Sequence, residues 1–108
     1  MNNRYQKWSV DETILITDWV KNRGGQLPDQ NSAEVAALRD SLFPQRSIDS
    51  VYLQAWHAQC ALGYADDNGS RSRQILAVGV LFQTDEAEMS AKAGEIRLRR
   101  RGDDKSAG

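Results

Sequence analysis

The residue types with obvious chemical capacity are few in this sequence. His57 and Cys60 are its only histidine and its only cysteine, and they stand three positions apart. A structural zinc site takes four such ligands and a catalytic zinc site takes three, so this pair completes neither. No basic residue stands beside Cys60 to activate its thiol, and no phosphate-cradling glycine loop is present. We therefore predict no catalytic residue, no metal site and no cofactor, and we do not expect an enzyme.

The densest positive cluster lies near the end of the sequence and consists of Arg97, Arg99, Arg100 and Arg101. Three interpretations are open: it contacts phosphates non-specifically, it is a nuclear-import signal, or it is a solvated helix end beside the negative end of the helix dipole. The whole chain has 14 Lys and Arg against 15 Asp and Glu, a net charge of -1. Any attraction to phosphate should therefore concentrate at this cluster, to which Arg71 and Arg73 can add.

The composition is that of a single globular domain. The chain has 108 residues, of which 40% are hydrophobic and 27% charged. One cysteine excludes an intramolecular disulfide. The longest apolar run, residues 75–82, is about half the length that a helix needs to span a bilayer, and the first residues lack the pattern of a secretory signal. We expect no membrane association.

Three helices are predicted before residue 63. Ser9 with Glu12 forms a capping-box pattern that opens the first helix, which runs to about Asn22. The second helix opens at Asn31 or Ser32 and ends before Pro44. The third covers residues 48–62, with Ser47 as its N-cap. Apolar residues recur in each helix at three- and four-residue spacing, which predicts one buried face per helix and places Trp8, Trp19 and Trp56 in the core.

The second part of the chain is predicted to be helical as well. Residues 75–82 fit either a buried strand or a buried helix, and we favour a helix because a lone strand would have no partner. A further helix runs from Asp85 to about Arg100. The expected division is a three-helix domain at 5–63, a loop at 64–70, a helical extension at 71–101 and a flexible tail at 102–108. The predicted fold class is all-α.

Two short motifs resemble the repeat of the Myb/SANT family. Trp8-Ser9-Val10-Asp11-Glu12 is similar to the family's opening motif, and Phe43-Pro44-Gln45-Arg46-Ser47 is similar to the turn before its third helix. Trp56 stands near the aromatic residue that ends that helix. The resemblance covers about residues 5–62. It implies a three-helix, helix-turn-helix bundle whose third helix reads DNA. Unlike the family, this third helix has no Lys or Arg between residues 47 and 62.

The resemblance also implies a set of DNA contacts. On the outward face of the third helix, Asp49, Ser50, Gln54 and His57 would meet base edges, together with Leu53 against a thymine methyl. Arg46 would grip a phosphate, although it could equally pair with Glu12. The alternative for this face is a solvated polar surface or a surface for another protein. The predicted DNA-binding residues are Arg46, Ser50, Gln54 and His57, with backbone contacts from Arg97, Arg99, Arg100 and Arg101.

Two functional hypotheses follow. The first is a DNA- or chromatin-associated regulatory protein of the Myb/SANT type, nuclear in a eukaryote and otherwise cytoplasmic. The second is a SANT-type protein-interaction module without direct DNA binding, whose acidic and neutral surface meets a basic partner. The apolar residues between 75 and 96 exceed what a three-helix domain needs, so they either cap the bundle or form a homodimer or heteromer interface.

Overall fold

The computed structural model describes residues 7–66, 69 and 71–107, with side chains described as far as Arg100. All regular secondary structure in these ranges is helical, which confirms the all-α prediction. The chain folds into helices in the following order: α1 (Val10–Asn22), α2 (Ala33–Leu42), α3 (Ile48–Ala61), α4 (Arg73–Thr84) and α5 (Glu86–Ala107). A bundle of three helices alone, as the Myb/SANT resemblance implies, is not what the described residues form.

Serine side chains open the first four helices. Ser9, Ser32, Ser47 and Ser72 each accept a hydrogen bond from a backbone N–H in the first turn of the helix that follows. At Ser9 the predicted capping box is complete, because Glu12 also accepts from the Ser9 backbone N–H. These bonds satisfy donors that the start of a helix leaves unpaired. Of the two candidates for the start of α2, the structure selects Ser32.

The ambiguous segment at residues 75–82 is part of α4. Its apolar residues Ile75, Val78 and Phe82 recur at helical spacing and are all buried. A helix places these side chains on one face, where they cover α1, and its backbone hydrogen bonds are satisfied without a neighbouring strand. α5 then continues to Ala107, past the predicted end near Arg100.

α1 is the central helix of the fold, packed against α3, α4 and α5, while α2 packs on α3. Its residues Ile14, Leu15, Ile16 and Val20 are buried on several sides of the helix rather than along one stripe. A single core includes residues of all five helices; α4 and α5 contribute Ile75, Val78, Phe82, Met89, Ala93 and Ile96. The buried apolar side chains after residue 70 therefore join the core around α1 instead of forming a second core.

α4 approaches α3 closely at Gly79. A Cβ atom at this position would lie 2.7 Å from the backbone oxygen of Ala61, closer than real contacts allow. The absence of a side chain therefore sets the distance between the two helices.

Replacement of Gly79 tests this close approach. Gly79→Ala is expected to lower the free energy of unfolding, because overpacking of about 1–3 kcal/mol exceeds the gain in helix propensity of up to about 1 kcal/mol. Gly94→Ala in α5 is the matched control: a Cβ there meets nothing within 4 Å, so the variant should be as stable as the wild type or more so. Urea unfolding measures both. Equal effects of the two substitutions would contradict the close packing of α3 and α4.

Candidate functional site

A groove of about 450 Å³ lies between the outward face of α3 and the start of α4. It brings together Ser50, Gln54 and His57, which are three of the residues predicted to read DNA, and it includes Leu53. The described residues lining it are Lys7, Trp8, Ser50, Leu53, Gln54, His57, Arg71, Ser72, Gln74 and Ile75. Arg71 and Ser72, just before α4 and at its N-cap, and Gln74 and Ile75 in its first turn form the wall opposite α3.

Hydrogen bonds on the other side of α3 fix how this helix presents its outward face. The Tyr52 hydroxyl donates to the backbone oxygen of Pro28 at 2.8 Å. The Gln59 amide donates to the backbone oxygen of Gly25, also at 2.8 Å. Both acceptors lie in the loop between α1 and α2. This loop therefore holds α3 in the rotation that turns Leu53 and Gln54 toward the groove.

The groove combines apolar and cationic side chains. Trp8 and Ile75 are buried, whereas Leu53 is 54% exposed. Lys7 and Arg71 supply positive charge, and no described lining residue is an Asp or a Glu. The Arg71 guanidinium lies 5.1 Å from the centre of the Trp56 ring and donates to the backbone oxygen of Gly69. The groove is therefore an apolar surface lined by two positively charged side chains.

The start of α4 adds to this positive character. The first turns of α1, α2, α3 and α5 each contain an acidic residue, whereas the first turn of α4 has none. The positive end of the α4 dipole is therefore not offset by a carboxylate of its own helix. The Gln74 amide in this turn donates hydrogen bonds to the Trp8 backbone oxygen and to the Thr13 hydroxyl. These bonds tie the start of α4 to α1 and to the segment before it.

Arg46, also predicted to contact DNA, lies beside α1 and forms intramolecular bonds. Its guanidinium donates to both carboxylate oxygens of Glu12, at 2.9 and 3.1 Å, and to the backbone oxygen of Lys7. It also lies 4.2 Å from the centre of the Trp8 ring. The side chain is 8% exposed. Of the two roles considered for Arg46, pairing with Glu12 is the one formed in this structure.

The pair with Arg46 changes the acidity of Glu12. Burial raises the pKa of the Glu12 carboxyl, but hydrogen bonds from Arg46 and from the Ser9 backbone outweigh it, and the net pKa lies below the ordinary value of 4.5. Glu12 is therefore ionised at neutral pH. The capping box and the arginine pair meet at this one carboxylate.

Two members of the arginine cluster also bond within the fold. Arg97 donates to Asp18 Oδ2 at 2.7 Å, and Asp18 is a carboxylate of α1 with a side chain only 2% exposed. Arg100 donates at 2.7 Å to the backbone oxygen of Leu42, the last residue of α2. These contacts attach α5 to α1 and to α2. Both arginines also line a second groove, of about 430 Å³, beside Trp19.

The other two members differ from these. Arg99 is 65% exposed and lies 3.6 Å from Asp11, a distance typical of a weak surface ion pair. The side chain of Arg101 lies outside the described residues, so its predicted role stays a prediction.

Sequence reasoning missed Asp18, Lys7 and Trp8. Asp18 follows Ile14 by four residues and therefore stands on a buried face of α1, which is a signal that it needs a cationic partner. The partner is 79 residues away, and no local pattern identifies it. Trp56 was predicted to be in the core, but it is half-buried and lies under Arg71 instead.

Comparison with family models, with curated proteins and with solved structures gives no match to this chain. The likeness to the Myb/SANT repeat therefore depends on the quoted residues alone. Among the described residues, no group of three or more His, Cys, Asp or Glu is placed to hold a metal ion. No helix in the described ranges is long and apolar enough to cross a membrane.

The Glu12–Arg46 pair predicts a specific dependence of stability on pH. Glu12→Gln should lower the free energy of unfolding at neutral pH by about 3 kcal/mol, because Arg46 loses its charged partner. Since the folded-state pKa of Glu12 is lowered, its contribution is complete above its unfolded-state pKa and is lost as pH falls through the folded-state value. The difference from the wild type should therefore shrink in acid, as measured by urea unfolding across pH.

Glu34→Gln is the matched control for this measurement. Glu34 pairs with Arg23, but its side chain is far more exposed, so its removal should change stability by less than about 1 kcal/mol. A Glu12→Gln effect that is equally small, or that persists unchanged at acidic pH, would contradict the structural role of the pair.

Proposed function

We propose that this chain is a protein-interaction module that binds a segment of another protein in the groove between α3 and α4. The observation that carries the proposal is the groove's lining: exposed Leu53 stands beside Lys7 and Arg71, with no carboxylate among the described lining residues. Such a surface suits a segment in which a large apolar side chain is flanked by Asp or Glu.

The size and chemistry of the groove support this kind of ligand. Its volume of about 450 Å³ accommodates a large apolar side chain with adjoining backbone. Burial of that side chain against Leu53, Trp8 and Ile75 removes apolar surface from water and stabilises the complex by roughly 25 cal/mol per Å². Carboxylates beside it would approach Lys7, Arg71 and the positive end of α4. The expected partner is thus acidic, in contrast to the basic partner expected from sequence for an acidic and neutral surface.

DNA binding is the second candidate, and a specific observation favours it. Ser50, Gln54 and His57 line one groove with Lys7 and Arg71, so cations from other segments stand beside a helix that has none of its own. In this case the chain would be a DNA- or chromatin-associated regulator of the Myb/SANT type, nuclear in a eukaryote.

The distribution of positive charge favours a protein partner over DNA. Phosphate contacts dominate affinity for duplex DNA. Of the arginines predicted to make them, Arg46, Arg97 and Arg100 bond to groups within the chain. The net charge of -1 adds no general attraction to a polyanion.

Selection from a random linear peptide library on the immobilised protein tests the proposed function. We expect enriched peptides to share an aromatic or leucine residue next to Asp or Glu. A selected peptide should then lose about tenfold or more in affinity for the Leu53→Asp and Arg71→Glu variants in calorimetric titration, since both alter the contact surface. Leu98→Asp on α5 is the matched control, because Leu98 is 68% exposed and lies outside the groove.

The DNA candidate is tested in parallel by fluorescence anisotropy, in which a labelled random-sequence DNA duplex is titrated with the protein at two salt concentrations. Tight, steeply salt-dependent binding that Gln54→Ala and Arg71→Glu weaken, with no peptide enriched, would establish the DNA candidate instead. Enrichment of basic peptides, or binding that Leu53→Asp leaves unchanged, would refute the groove as an acidic-peptide site.

A further inference from the structure

The outward face of α4 carries a cluster of apolar side chains. Leu76, Val80 and Leu81 are all exposed large hydrophobic residues, and Val80 is 55% exposed. Ala77, between them on the same side of the helix, is exposed too. A helix that is apolar all round is normally covered on all sides, and a contiguous exposed patch of this kind marks an interface.

The charges that flank this face have opposite signs at its two ends. Arg73, the first residue of α4, is exposed, and Asp85, which follows the last residue, is exposed as well. Between them, residues 74–84 contain no charged side chain. Glu88, in the first turn of α5, adds to the negative end, and so does Glu86, which also lies 3.7 Å from Lys21. A face that is positive at one end, apolar in the middle and negative at the other is complementary to an antiparallel copy of itself.

The helical positions fit such a pairing. When two α4 helices pack antiparallel about a two-fold axis between residues 78 and 79, Ala77 of each copy stands level with Val80 of the other, so a small side chain faces a larger one. Arg73 then stands level with Thr84 of the second copy, one residue from its Asp85. This is an isologous contact, in which the same patch serves on both subunits.

We propose that two copies of this chain associate through α4 in this antiparallel arrangement, with Leu76, Ala77, Val80 and Leu81 at the contact and Arg73 paired with Asp85 across it. The helix is about 18 Å long at 1.5 Å per residue. A single pair of such helices buries less than the roughly 1,200–2,000 Å² of a stable interface, so the dimer is reversible. This surface is distinct from the peptide groove, because none of these residues lines it.

Sedimentation equilibrium on the full chain, carried to high micromolar concentration, tests the proposal. We expect the wild type to populate a dimer and Val80→Asp to raise its dissociation constant about tenfold or more, because a carboxylate is buried at the centre of the contact. Leu98→Asp is the matched control. It replaces a more exposed apolar residue on a different helix and should change the constant by less than about twofold.

Charge reversal tests the antiparallel direction. Arg73→Glu alone places like charges together and should weaken the dimer, whereas Arg73→Glu combined with Asp85→Arg should restore it to near wild-type strength. Circular dichroism confirms that each variant is folded. A wild type that stays monomeric at high micromolar concentration overturns the proposal, and so does a folded double variant that remains as weak as Arg73→Glu. Peptide binding in the groove is measured separately, so failure of one proposal leaves the other standing.

Discussion

The fold depends on a charge pair between its central helix and its last one. α1 is covered by α3, α4 and α5, and Asp18 lies on it almost wholly removed from water. An isolated buried carboxylate is strongly destabilising, so Asp18 requires a donor with positive charge. Arg97 supplies it from α5, and Asn22 adds a second hydrogen bond to the same oxygen. The pair joins α5 to α1 on the side where Met89, Ala93 and Ile96 are buried, and α4 packs on both helices.

This arrangement determines which charges remain for function. Arg46, Arg97 and Arg100 hold together segments that are distant in sequence, so these three of the arginines predicted to contact phosphate bond within the chain instead. Lys7 and Arg71, contributed by the segments that precede α1 and α4, line the groove beside α3, and Arg71 also bonds within the chain. A few cations around an apolar groove favour a short acidic segment over a long polyanion. For this reason we favour a protein partner over DNA.

Sequence reasoning succeeds here where the signals are local. Serine caps and helical spacing of apolar residues predicted α1, α2 and α3 closely, because both depend on neighbours within one or two turns. The segment at 75–82 stayed ambiguous because its apolar run fits two secondary structures and only the packing on α1 decides between them. The same limit explains the site. Ser50, Gln54 and His57 were predicted to share a face, but the wall opposite them depends on the path of the chain after α3, which no spacing encodes.

A double-mutant cycle between Asp18 and Arg97, with Asp18→Asn, Arg97→Met and the double variant in urea unfolding, tests the role of this pair most directly. We expect a coupling energy of at least about 1.5 kcal/mol, since the Asp18 carboxylate is almost fully buried and lies 2.7 Å from the Arg97 guanidinium. The same cycle for the exposed pair of Asp11 and Arg99 should give less than about 0.5 kcal/mol. Equal and small coupling energies for the two pairs would contradict the claim that Arg97 serves the fold, and would return Arg97 to the residues available for DNA.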